Sequence, residues 1–80
     1  MMECKLDVRE LEPPVPLERI LDTLDTLSKE DWLCVRHNRE PFPLYSLLRQ
    51  MDFSWDSRWL NGECFIRIWH TGHPPVTDSG

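Results

Sequence analysis

No Cys-x-x-Cys pair, glycine-rich phosphate loop or apolar run long enough to span a bilayer occurs in this sequence. Each absence removes a class. The three cysteines, Cys4, Cys34 and Cys64, are odd in number and widely spaced. They indicate neither a disulfide framework nor a zinc site, so reduced thiols in a reducing compartment are expected. Basic charge is also scarce: nine Lys and Arg stand against fourteen Asp and Glu, a net charge of −5. Nucleic-acid binding, which needs clustered cations to displace counterions, is therefore not expected. The Met-Met-Glu-Cys-Lys-Leu-Asp start has no hydrophobic signal core, and no membrane segment follows. A cytoplasmic protein is the expectation.

What is present belongs to a folded domain. Eighty residues, 40% hydrophobic with four tryptophans, give one small core and no second. Residues 3–8 alternate as a strand, with Leu6 and Val8 on one side. Pro14 and Pro16 suit the first turn of a helix, where a missing N–H is harmless. From there Leu17, Ile20, Leu21, Leu24 and Leu27 recur at helical spacing, and the helix is expected to end near Ser28. Trp32 to His37 forms a second strand, and Pro41 and Pro43 hold residues 37–43 in a loop. A second helix starts at Pro43, with Leu44, Leu47, Leu48 and Met51 on one face. Phe53–Leu60 and Glu63–His70 make two strands joined by Asn61-Gly62, a strong hairpin signal.

The order β-α-β-α-β-β predicts an α+β fold, a two-layer α/β sandwich with a mixed four-stranded sheet and two helices on one face. Residues 1–71 are the expected domain, and 72–80 a flexible C-terminal tail. The uncovered sheet face should hold some of Arg36, Trp55, Trp59, Arg67 and Trp69, subject to the strand register.

The segment Leu6-Asp7-Val8-Arg9 with Leu11, Pro14 and Pro16, in that order of elements, resembles the TusA/SirA-like sulfur-carrier fold. Those proteins usually read Leu-Asp-x-Arg-Gly-Leu-x-Cys-Pro-x-Pro, the Cys carrying a persulfide. Here Glu10 replaces the Gly and Pro13 stands at the Cys. The chain is more similar still to bacterial domains of unknown function (number 2249), through Leu6-Asp7-Val8-Arg9 with Glu12-Pro13-Pro14, His37-x-x-Glu40-Pro41-x-Pro43-Leu44-Tyr45 and Phe53-Ser54-Trp55. The resemblance spans roughly residues 5–70. It implies company with nitrogen-oxide or anaerobic metabolism and, without the Cys, no sulfur carriage at that position.

Four candidate chemistries follow. A carrier thiol wants a helix N-terminus, which lowers its pKa. Pro13 offers none, Cys4 stands in or before the first strand, and Cys34 and Cys64 fall in strands where small buried residues are usual. The loops after the first two strands form the second, at the edge where open α/β sheets bind ligands. Arg9 and Glu12 from one loop, with His37, Glu40 and Tyr45 from the other, make the candidate ligand site. The plain alternative is that His37 ends a strand while Glu40 caps or pairs with an arginine. Third, His70 and His73 are a weak transition-metal pair without a third ligand. Fourth, two of Trp55, Trp59 and Trp69 on the open face would suit a partner protein. No nucleophile–base pair marks an enzyme, Glu10 and Glu12 reading as an exposed acidic loop. The sequence thus predicts a non-catalytic accessory module whose partner is another protein. A small-ligand, haem or metal-binding protein using His37 is the alternative, and a sulfur carrier through Cys4 the second.

Overall fold

The computed structural model describes residues 2–75. Its elements are β1 (Glu3–Asp7), α1 (Val15–Asp25), β2 (Trp32–His37), α2 (Phe42–Gln50), β3 (Phe53–Leu60) and β4 (Glu63–His70). They form one mixed sheet in the order β1-β2-β4-β3, with β1 parallel to β2 and the other neighbours antiparallel. This is the expected α+β architecture.

Alternation along the strands sorts the two faces. Leu33, Val35 and His37 of β2 and Cys64, Ile66 and Ile68 of β4 are buried beneath the helices. Ile20, Leu24 and Leu27 from the first helical segment and Leu44 and Leu48 from α2 complete that core, with Val8 and Phe53. Register settles the open face. Trp32 lies opposite Trp69, Cys34 opposite Arg67, and Arg36 opposite Phe65. Arg36, Arg67 and Trp69 are therefore on the uncovered side, as expected, and Cys34 is there as well. Trp55 and Trp59 are not, because they pair with the helix-side residues Ile68 and Cys64. The aromatic pair of the open face is Trp32 and Trp69.

The open face is held by charge. Glu63 accepts from both Arg9 and Arg36, and Asp7 accepts from Arg9 Nε at 2.9 Å. The Arg9 hydrogen bonds lower the Asp7 carboxyl to about 2, and those from Arg36 and Arg9 lower that of Glu63. Arg36 also lies 5.6 Å from the Phe65 ring centroid, within cation–π range.

Helix ends depart from expectation for identifiable reasons. α1 stops at Asp25, short of Ser28. Thr26 and Leu27 donate their N–H groups to Thr23 and Leu24, three residues back, so the last turn tightens out of α geometry. The His70 imidazole Nε2 lies 2.9 Å from the Leu27 carbonyl, tying this end to β4. α2 begins at Phe42, one residue earlier than expected, and Met51 falls beyond its end and is exposed. The hairpin is the tight form: Asn61 and Gly62 both have positive φ, 52° and 77°, as a type I′ turn requires. In the segment expected as a tail, His73 donates to the His70 carbonyl at 2.9 Å, and residues 76–80 lie outside the described residues.

Candidate functional site

Because β1 and β2 are parallel, their following loops and the starts of both helices gather at one end of the sheet. The two loops are stitched together there. Asn38 Nδ2 donates to the Arg9 carbonyl at 3.1 Å, and the Val8 N–H donates to the Arg36 carbonyl at 3.0 Å. Between loops and helices lies a cavity of about 380 Å³. This falls within the volume range of small-molecule sites.

Prolines build its wall. Pro13, Pro14 and Pro16 come from the start of α1, and Pro41 and Pro43 from the start of α2. Leu11, Leu17, Ile20 and Leu44 supply the remaining apolar surface, with His37, Arg39 and Glu40 as the polar members. The prolines also decide which ligands are excluded. A helix start normally presents free N–H donors to an anion. Here Pro14 and Pro16 have no N–H, the Val15 N–H is bonded to the Glu12 carbonyl at 2.9 Å, and the Glu18 N–H to the Pro14 carbonyl at 3.2 Å. At α2, Pro41 and Pro43 have no donor, while Phe42 and Leu44 give theirs to the Glu40 and Pro41 carbonyls. Two helix starts converge, yet proline substitution and local bonding consume most of their donors. The cavity wall is mainly apolar, and its charged members, Arg39 and Glu40, are of opposite sign.

His37 is the polar side chain most deeply set in this wall, only 5% exposed. The Arg39 N–H donates to its Nδ1 at 3.2 Å, and Asn38 Oδ1 lies 3.1 Å from the same nitrogen. The loop therefore holds Nδ1, which leaves Nε2 as the nitrogen available to a molecule in the cavity. Burial pushes the His37 pKa below the ordinary 6.5, and the nearby Arg39 charge adds to this against the opposing Asn38 bond. The imidazole is neutral at pH 7. The folded state then binds this proton less readily than the unfolded chain does. Its contribution is present above pH 6.5 and is lost as pH falls through the lowered folded pKa. Acidification from pH 7 to 5 is thus expected to lower stability, and His37→Gln to flatten that part of the curve. Urea denaturation at both pH values checks it; an unchanged pH dependence in His37→Gln would contradict a buried neutral imidazole.

Glu40 holds the loop in place. Its carboxylate accepts the Tyr45 hydroxyl on one oxygen and Trp59 Nε1 at 2.9 Å on the other. The Tyr45 bond is the main reason the Glu40 carboxyl titrates below its ordinary range. Tyr45 in turn stacks on Trp55, ring centroids 5.1 Å apart and nearly parallel. Burial and the Glu40 carboxylate raise its phenol well above the usual tyrosine range. One anchor thus joins the loop after β2 to α2 and β3.

Of the five residues singled out in the sequence, His37 and Glu40 line the cavity and Tyr45 is tied to it through Glu40. Arg9 turns to the open face, where Asp7 and Glu63 engage it, and Glu12 is exposed outside the cavity lining. The apolar wall was not anticipated, although five prolines bracketing two helix starts were the visible signal. The described residues hold no cluster of three or more His, Cys, Asp or Glu placed to bind a metal. No described helix is long and apolar enough to cross a membrane.

No curated protein and no solved structure matches the chain. A family model described as "Uncharacterized conserved protein (DUF2249)" matches residues 5–71. That match covers nearly every element and both loops of the cavity, and the chain belongs to this family of uncharacterized conserved proteins.

Proposed function

We propose that this chain is a non-catalytic binding module whose site is the proline-lined cavity at the strand ends. Its ligand is a small, largely apolar, uncharged molecule oriented by the neutral imidazole of His37, with Arg39 and Glu40 as the other polar groups of the lining. The observation that carries this reading is the pairing of an apolar wall with helix starts stripped of most of their free N–H donors. An anionic ligand would lose its hydration against this wall, and the cation in the lining, Arg39, is accompanied there by the Glu40 carboxylate. The one buried imidazole supplies orientation, as the few polar groups of such sites generally do.

The sulfur-carrier resemblance supports the same reading. Pro13, standing where that family has its thiol, lines the cavity. Cys4 is half-buried on β1 and packs against the core, away from either helix start. An accessory role in bacterial redox or nitrogen-oxide metabolism, cytoplasmic and serving another protein, belongs to this proposal through the family resemblance alone.

Calorimetric or NMR titration with indole, benzimidazole, benzoate and inorganic phosphate tests the ligand class. The two neutral aromatics should bind with dissociation constants on the order of 1 mM, about 4 kcal/mol, and the two anions should not. Leu17→Trp, which fills the cavity mouth, should abolish the binding. Equal binding of benzoate, or binding unaffected by Leu17→Trp, would overturn the proposal.

A further inference from the structure

β3 is an edge strand, and among the described residues its outer backbone groups pair with nothing. Such an edge is a template for another strand unless charge, proline or a bulge blocks it. No proline or bulge interrupts Phe53–Leu60, the strand runs for eight residues, and its two charges, Asp56 and Arg58, are of opposite sign. Exposed apolar side chains flank it on both faces: Leu60 on the open side, and Trp59 and Phe42, 49% and 69% exposed, on the helix side. Phe42 sits edge-on to Tyr45, which stacks on Trp55, so these aromatics form one group beside the edge.

We propose that β3 pairs antiparallel with the β3 of a second copy of this chain, across a two-fold axis at Ser57. The backbone permits this register. A two-residue turn makes Leu60 and Glu63 a hydrogen-bonded pair, so by alternation Arg58, Asp56 and Ser54 also point their N–H and C=O groups at β4. Trp55, Ser57 and Trp59 therefore point theirs outward. With the axis at Ser57, the outward groups meet each other: Ser57 opposite Ser57, and Trp55 opposite Trp59.

The side chains fit the same axis. Trp55-Asp56-Ser57-Arg58-Trp59 reads as an inverted repeat with opposite charges at its symmetric positions. Asp56 of each copy stands opposite Arg58 of the other on the open face, and tryptophan stands opposite tryptophan on the helix face. Asp56 is already engaged by Arg67 Nε at 3.0 Å, and Arg58 is exposed. The partner's arginine would complete a row in which one carboxylate joins two guanidinium groups. The other sheet edge fails the same test. Pairing β1 with its own copy about Lys5 would set Glu3 against Asp7, two like charges. Isologous pairing of this kind is the commonest route to a homodimer.

Sedimentation velocity at roughly 100 µM, well above micromolar dissociation constants, tests the interface. The wild-type chain should run as a dimer. Ser57→Pro removes an N–H that does not face β4, so the internal ladder survives while the outer one is broken. Arg58→Glu sets a carboxylate against Asp56 of the other copy, and decides the matter should Ser57→Pro fail to fold. Each variant should raise the dimer dissociation constant by at least about tenfold while leaving the circular dichroism spectrum unchanged. A monomeric wild-type chain, or a dimer that survives Arg58→Glu, would overturn the proposal.

Discussion

Ile66→Ala is expected to destabilise the domain by about 2–5 kcal/mol, the range for large-to-small changes in a packed core. Ile66 is fully buried at the centre of β4, opposite Val35 on one side and Ser57 on the other. Both helices contribute side chains to the same cluster, so a cavity there removes contacts in both layers at once. A domain of this length has a total stability of roughly 4–12 kcal/mol, at about 0.05–0.15 per residue. The substitution therefore removes a large share of it and lowers the melting temperature by about 4–8 °C for each kcal/mol lost. Urea denaturation with an unchanged slope measures the effect. A loss below about 1 kcal/mol would show that this position is not closely packed.

Glu40→Ala is expected to cost about 2 kcal/mol and to weaken binding at the cavity as well. The carboxylate receives both the Tyr45 hydroxyl and the Trp59 indole, so its loss leaves the half-buried Tyr45 hydroxyl without this acceptor. Charged acceptors make the stronger hydrogen bonds, and removing one partner is more harmful than removing both. Tyr45→Phe in the Glu40→Ala background should accordingly recover part of the loss. Because bonding lowers the Glu40 pKa, its share of stability is present above the ordinary carboxylate range and is lost as pH falls through the lowered value. Binding of indole to Glu40→Ala should weaken too, since the loop bearing His37 and Pro41 is no longer tied to α2 and β3. A variant with wild-type stability and wild-type binding would show that the anchor is dispensable.

These effects share a cause that the sequence displays only in part. Periodicity exposes the architecture because each element carries one signal at a time: leucines at helical spacing, alternation in the strands, Asn61-Gly62 between them. The face of β3 is different. Trp55 and Trp59 have the right composition for an exposed aromatic patch, and only the pairing with Ile68 and Cys64 turns them toward the helices. A one-residue step in register reverses such an assignment, and nothing local in the strand selects it. The same limit applies at the site. His37 and Glu40 stand out as polar residues at a strand end, whereas the prolines that make the cavity apolar read first as helix starters. Arg9 looked like a site residue because it lies in the neighbouring loop. Its side chain instead follows the stronger attraction of two carboxylates, Asp7 and Glu63, to the opposite face. Charge pairing across strands far apart in sequence is what a single chain, read in order, conceals.

The proposed role of the proline-lined cavity is to receive a small apolar ligand beside a neutral His37. Intermolecular nuclear Overhauser effects from bound indole locate the ligand. Contacts are expected to the Leu17 and Leu44 methyl groups and to the His37 ring, all of which line the cavity. Contacts confined to Phe65, Trp32 and Trp69 would place the ligand on the open sheet face and contradict it.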